Sequence, residues 1–93
     1  MEVRWLRSAL ANLDAEAEYV ARDNVAASRL VERIYEAVEQ LKQYPSLGRA
    51  GRVPGTRELV VPRTAYILSY RLREGVVEIL RVLHGARRWP IRF

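Results

Sequence analysis

The hydrophobic residues of this 93-residue chain change their spacing once, at a loop rich in proline and glycine (residues 45–55). Before the loop, apolar residues recur three and four positions apart, which predicts amphipathic helices over residues 9–21 and from Asp23 or Asn24 to about residue 43. After the loop come three runs rich in β-forming residues (56–61, 65–72 and 76–84), and their short connections predict an antiparallel meander.

The first residues complete the predicted order of elements. Val3 and Trp5 alternate with polar residues within residues 2–6, which predicts a short strand, and Ser8 fits the N-cap of the first helix. The predicted order is β-α-α-β-β-β, an α+β fold in which a helical hairpin packs on one face of a small, mainly antiparallel sheet. The length indicates one domain over residues 1–93.

The last run, residues 76–84, is largely apolar on both faces, which indicates a central strand. Strict alternation would point Val77, Ile79 and Arg81 to one side, and Glu78 and Val82 to the other. This alternation does not indicate which side of the strand meets the helices, and a β-bulge would change the assignment of residues to the two sides. Gly75, in the turn before this run, is suited to a positive φ.

Charge is divided unevenly along the chain. Residues 1–46 carry a net charge of −2, whereas residues 47–93 carry +7, from ten arginines against Glu58, Glu74 and Glu78. This asymmetry favours an anionic partner, although fifteen arginines to one lysine also fit a codon bias toward arginine. The sequence predicts no cofactor and no metal site, because it has no cysteine, one histidine and no phosphate-binding glycine signature. With neither a signal-peptide layout nor a long apolar run, we expect a cytoplasmic protein without membrane contact.

Four segments in this order and spacing are similar to a known superfamily, namely "LKQYPSLGR" (41–49), "GTREL" (55–59), "YILSYRL" (66–72) and "VEILRVLHGARRWP" (77–90). They resemble the RelE/ParE toxins of bacterial type II toxin–antitoxin modules. The resemblance implies the same β-α-α-β-β-β fold and a toxin that arrests growth when free. It also implies a cognate antitoxin with a partly disordered segment that folds on binding, and contact with operator DNA only through that antitoxin.

The resemblance leaves more than one target open. RelE-like members cut messenger RNA on the ribosome, whereas ParE-like members poison DNA gyrase. The segment "EILRVLH" (78–84) resembles the ParE-like members, and residues 47–93 lack the lysines on which RelE relies. We therefore expect gyrase as the target, with the ribosome and its messenger RNA as the alternative. A third hypothesis is that the chain is a homologue that has lost toxicity and acts only as a co-repressor.

The nuclease alternative would need groups for proton transfer and for binding phosphate. His84 or Glu58 would transfer protons, because histidine titrates near neutrality and a desolvated carboxylate can act as a base. Arg63 and Arg81 would bind the phosphate, because a guanidinium stays protonated. The structural alternatives are a strand-terminal histidine bonded to a neighbour and an ion pair of Arg81 with Glu58 or Glu78.

A wider set of side chains is predicted to contact the target or the antitoxin: Arg57, Arg63, Arg81, His84, Arg87, Arg88 and Trp89. Their chemistry suits an anionic or amphipathic partner, with Trp89 as a buried anchor. The alternative is that Arg57 belongs to a solvated face and that residues 87–89 form a solvated tail with the tryptophan packed on the sheet.

Overall fold

The computed structural model describes residues 1–19 and 24–85. The elements in chain order are β1 (Glu2–Trp5), α1 (Arg7–Tyr19), α2 (Asn24–Gln43), β2 (Arg49–Ala50), β3 (Arg57–Val60), β4 (Tyr66–Arg73) and β5 (Val76–His84). The strands form one sheet in the order β1-β5-β4-β3-β2, in which β1 is parallel to β5 and the other neighbours are antiparallel. The predicted α+β fold is confirmed, and β5 lies between β1 and β4 as a central strand.

Two local predictions were wrong. Residues 49 and 50 lie in the predicted loop but pair with Glu58 and Arg57 as the short strand β2, whose two residues are too few to give a periodic signal. Helix α1 begins at Arg7, so Ser8 lies inside its first turn. The carbonyl oxygen of Leu6 accepts hydrogen bonds from the N–H groups of Ala9 and Leu10. The hydroxyl of Ser8 instead donates to the carbonyl oxygen of Leu80, 2.8 Å away.

The helices and one face of the sheet share a hydrophobic core. The buried helix residues that form it are Ala9, Leu13, Leu30, Ile34, Ala37, Val38 and Leu41. The buried residues that meet them from the end of β3, from β4 and from β5 are Val61, Tyr66, Leu68, Tyr70, Val77, Ile79 and Val82. Within the described residues, no helix is long and apolar enough to cross a membrane.

A β-bulge in β5 changes which face its residues occupy. Tyr70 pairs with Ile79 and Ser69 pairs with Arg81, so Leu80 is an extra residue on β5. Ile79 and Val82 therefore both face the helices, although strict alternation would put them on opposite sides. As a result Arg81 points to the face that the helices do not cover.

The turn between β4 and β5 matches its prediction. Glu74 and Gly75 both have positive φ angles, of 51° and 77°. Two successive positive φ angles are the geometry of the two-residue hairpin turn that suits the twist of antiparallel strands. Gly75 thus occupies a position where a side chain would strain the backbone.

Candidate functional site

The sheet face turned away from the helices, here called the outer face, carries a row of polar residues across four strands. Arg49 of β2 pairs with Glu58 of β3, Glu58 with Ser69 of β4, and Ser69 with Arg81 of β5. Adjacent strands lie about 4.8 Å apart, so these side chains are close neighbours on one surface. The row therefore joins two of the predicted site residues, Glu58 and Arg81.

Glu58 is bound to the strand and loop beside it. One carboxylate oxygen, Oε2, accepts a hydrogen bond from the backbone N–H of Arg52 at 2.8 Å and lies 4.0 Å from Nε of the same arginine. The other, Oε1, lies 3.4 Å from a guanidinium nitrogen of Arg49. These contacts fix the carboxylate of Glu58 at the base of the β2–β3 hairpin.

A second row crosses β4, β5 and β1. Nε of Arg71 donates to a carboxylate oxygen of Glu78 at 2.6 Å, and a guanidinium nitrogen of Arg4 lies 4.0 Å from the other oxygen. The hydrogen bond from Arg71 holds the pKa of Glu78 below its ordinary value, against the opposing effect of desolvation. Glu58 and Glu78, the two acids named above as possible partners of Arg81, are thus each in contact with other arginines.

The acids and the arginines of the two rows differ in exposure. The side chains of Glu58 and Glu78 are 2% and 9% exposed, whereas those of Arg49 and Arg4 are 62% and 60% exposed. The charge that these rows present to solvent is therefore positive, and the buried carboxylates orient the guanidiniums. Ser69, between Glu58 and Arg81, is buried, and its hydroxyl makes no hydrogen bond within the described part of the chain.

His84 lies on the opposite face of the sheet. It pairs with Tyr66, and their rings meet edge to face with centroids 5.3 Å apart. Tyr66 faces the helices, where its hydroxyl donates to the Glu16 carboxylate at 2.8 Å. The structure therefore separates His84 from Arg81 and Glu58, which the sequence analysis had grouped as one candidate site.

Arg63 is also distant from the outer face. It occupies the turn between β3 and β4 with a φ of 61°, and its carbonyl oxygen accepts a hydrogen bond from Arg33 of α2 at 2.9 Å. Its exposed side chain borders a mainly apolar groove of about 330 Å³ between α2 and β3, to which Leu47 and Leu59 also contribute. Arg63 and Arg81 consequently do not converge on a single phosphate site.

Arg57 holds the loop that precedes β2. One of its guanidinium nitrogens donates to the carbonyl oxygen of Gly48 at 2.8 Å, and Ser46 offers a second carbonyl oxygen at 3.4 Å. Arg57 pairs with Tyr70, which contacts the same loop. The other predicted contact residues, Arg87, Arg88 and Trp89, lie outside the described residues.

Comparison with known proteins assigns the chain to a family. The sequence profile described as "ParE toxin of type II toxin-antitoxin system, parDE" matches residues 3–89. The chain belongs to the ParE toxin family. It is 45% identical over 89 residues to Y4kP of Sinorhizobium fredii, covering 95% of this chain and 92% of the relative. It is 34% identical over 87 residues to Toxin RelE2 of Caulobacter vibrioides, covering 92% and 97% of the two chains.

A solved structure agrees with this assignment. A chain from the chromosomal ParDE toxin–antitoxin system of P. aeruginosa superposes with a TM-score of 0.79 at 31% identity, covering 88% of this chain and 92% of that one. The resemblance to the RelE/ParE superfamily is thereby confirmed, and this ParE family member is the toxin of a ParDE-like type II system. Such a toxin implies an antitoxin partner.

Part of the charged surface of this ParE family member was not predicted from the sequence. The predicted candidate site included none of Arg4, Arg49, Arg52 and Arg73. The alternation of Arg71 and Arg73 within β4 could have indicated that they share a face. Arg4, by contrast, reaches the outer face through the parallel pairing of β1 with β5, which local sequence patterns do not reveal.

Proposed function

We propose that this ParE family member arrests growth by inhibiting DNA gyrase in the cytoplasm, and that a cognate antitoxin neutralises it. The observation that supports this target best is the division of the candidate acid–base groups between two faces of the sheet. His84 lies beside Tyr66 on the helix side, whereas Glu58 and Arg81 lie on the outer face. The match to the ParE toxin profile over residues 3–89 points in the same direction.

Cleavage of RNA requires a base, an acid and a cation around one phosphate, within hydrogen-bonding reach of the reacting oxygens. Side chains on opposite faces of a strand point away from each other, so His84 and Arg81 do not reach a common phosphate in this arrangement. Glu58 already accepts a hydrogen bond from the backbone N–H of Arg52 and lies beside two guanidiniums, which hold its side chain in a fixed position. Inhibition of gyrase by binding requires no such acid–base set.

Purified toxin added to gyrase, relaxed plasmid and ATP should inhibit supercoiling or accumulate cleaved DNA. Addition of the cognate antitoxin in equal amount should restore supercoiling, which separates specific inhibition from precipitation by a basic protein. The proposal would be refuted by full supercoiling at saturating toxin, if induction of the same chain in cells still arrests growth. If induced expression of the chain leaves growth unaffected, the hypothesis of a co-repressor is favoured instead.

The alternative function is cleavage of messenger RNA on the ribosome. It is favoured by the 34% identity with Toxin RelE2 and by the exposed arginines of the outer face. In a translating extract, this activity would appear as new transcript ends mapped by primer extension, and these ends would disappear with both His84→Ala and Arg81→Ala. Absence of new ends, with both variants still toxic in cells, would exclude this function.

A further inference from the structure

The arginines of the outer face form a cationic surface that reaches across the whole sheet. The two rows bring Arg49 and Arg52 to one end, through Glu58, and Arg71 and Arg4 to the other, through Glu78. Ser69 and Arg71 are two residues apart on β4, so the rows are about 7 Å apart along the strands. Guanidiniums at this spacing, in two parallel rows, can contact several phosphates at once.

We propose that this outer face binds the phosphate backbone of double-stranded DNA. The side chains that would make the contacts are Arg4, Arg49, Arg52, Arg71 and Arg73. The inference rests on the proposed function for the choice of DNA, since gyrase holds a DNA duplex. It differs from the sequence-based expectation, in which operator DNA is contacted only through the antitoxin.

The buried carboxylates prepare the guanidiniums for this contact. Glu78 fixes Arg71 through one Nε–H hydrogen bond of 2.6 Å, and Glu58 fixes Arg49 through one nitrogen at 3.4 Å. A guanidinium has five N–H donors, so each arginine keeps donors that can bind a phosphate oxygen. Because the side chains are already ordered, less conformational entropy is lost on binding.

The balance of charge on this face also favours an anion. Six arginines lie on or against it (Arg4, Arg49, Arg52, Arg71, Arg73 and Arg81), and two of its acids, Glu58 and Glu78, are buried. Its exposed acids, Glu2 and Glu74, lie near the β4–β5 turn. The six arginines of the outer face therefore exceed these four acids by two.

The outer face suits a duplex better than a single strand. Proteins bind single-stranded RNA and DNA largely by stacking the bases on aromatic side chains. Among the residues whose structure is described, no aromatic ring lies on the outer face, since Trp5, Tyr66 and Tyr70 pack toward the helices. Contacts from arginines to phosphates, without stacking, are typical of binding that does not depend on base sequence.

The test measures binding of the full chain to a labelled duplex of mixed sequence by fluorescence anisotropy, between about 50 and 200 mM salt. The magnitude of the slope of log affinity against log salt should decrease by about 1 for each phosphate-contacting arginine that is replaced. The double variants Arg4→Gln/Arg73→Gln and Arg49→Gln/Arg52→Gln should each reduce it by about 2. The matched control Arg7→Gln/Arg29→Gln removes two exposed arginines of the helices and should leave the slope almost unchanged.

Circular dichroism verifies that each variant is folded, and Arg4→Lys/Arg73→Lys, which keeps both charges, should retain most of the binding. The proposal is overturned by absence of salt-dependent binding to the duplex, by equal losses in the helix control, or by tighter binding to single-stranded RNA of the same length. No gyrase is present, so failure here leaves gyrase inhibition untouched. Conversely, a toxin without effect on supercoiling could still bind the duplex.

Discussion

Tyr70 joins the core of the molecule to the loop that precedes β2. Its ring is fully buried, and its hydroxyl donates to the carbonyl oxygen of Pro45 at 2.7 Å and accepts from the N–H of Gly48 at 2.9 Å. The loop therefore depends on a single phenol for two hydrogen bonds. Burial raises the pKa of this phenol above its ordinary value, because the charged form is poorly solvated.

Tyr70→Phe should lower the free energy of unfolding at neutral pH by about 1–3 kcal/mol, because two backbone groups lose their partner. The folded state raises the pKa of the Tyr70 phenol. The wild type should therefore lose stability as the pH rises from the ordinary pKa of a tyrosine, about 10, to the raised pKa. The variant should lack this loss. Urea denaturation at neutral and alkaline pH measures both effects, with the exposed Tyr44→Phe as the control. Equal stability of Tyr70→Phe and wild type at neutral pH would contradict the prediction.

Glu78→Gln tests the charged row around Arg71. The pKa of Glu78 is lowered in the folded state by its hydrogen bond from Arg71, so the carboxylate contributes stability at pH values above its ordinary pKa of about 4.3. This contribution is lost as the pH falls through that value and on through the lowered pKa. Glu78→Gln should be less stable than the wild type at neutral pH, and the two should converge in acid.

Thermal unfolding followed by circular dichroism from neutral to acidic pH would measure this convergence. Glu39→Gln is the matched control, because Glu39 pairs with Lys42 on the exposed surface of α2, where an ion pair contributes little. A constant difference between Glu78→Gln and the wild type at all pH values would show that the carboxylate acts through packing alone.

At the level of elements, β5 shows where sequence analysis reaches its limit. The helices were predicted from apolar stripes because only one of their faces is buried, so the period of 3.6 residues is visible. The strand β5 is buried on both faces, with Val77 and Leu80 among its buried residues, so its alternation carries no information about orientation. The bulge at Leu80 depends on pairing with β4, which is set by tertiary structure.

The candidate site was only partly predictable for the same reason. Glu58 and Arg81 were selected by chemical type, and the register brings them into one row. His84 was grouped with them because histidine titrates near neutrality, but it lies three residues after Arg81 and so on the opposite face of β5, among residues that face the helices. Selection by chemical type therefore misled where the orientation of the side chains across the sheet decided.

Gly48→Ala tests the junction between the loop and β2. A β-carbon at Gly48 would lie 2.8 Å from the carbonyl oxygen of Glu58 and from the ring of Tyr70, and the backbone and the buried ring have little freedom to move. We expect a loss of about 1–3 kcal/mol in the free energy of unfolding, as for overpacking of a core. Urea denaturation measures it, and the exposed neighbour Ser46→Ala should change stability little. Unchanged stability of Gly48→Ala would mean that β2 shifts freely.

At the level of the whole molecule, β5 joins otherwise separate parts of the fold. It pairs with β1 on one side and with β4 on the other, and the carbonyl oxygen of Leu80 and the N–H of Val82 contact α1 through Ser8 and Asn12. The residues paired between β1 and β5 are more than seventy positions apart, for example Val3 and Val77. Such distant contacts slow folding, because closing a long loop costs entropy before the contacts form.

A chain truncated after Glu74 should therefore lack a cooperative unfolding transition, because it loses the central strand and the partner of β1. Thermal melting followed by circular dichroism would show a broad decline instead of a sigmoidal curve. The control is a chain truncated after Gly85, which retains all five strands that the structure describes. A sigmoidal transition in the shorter chain would show that the helices and β3–β4 fold without β5.

The parallel pairing of β1 with β5 also has a consequence for protein synthesis. The ribosome makes β1 and both helices before it makes β5, so the growing polypeptide cannot complete its sheet until β5 has emerged. Until β5 emerges, each growing polypeptide lacks the strand that joins β1 to β4, and it therefore lacks the complete outer face.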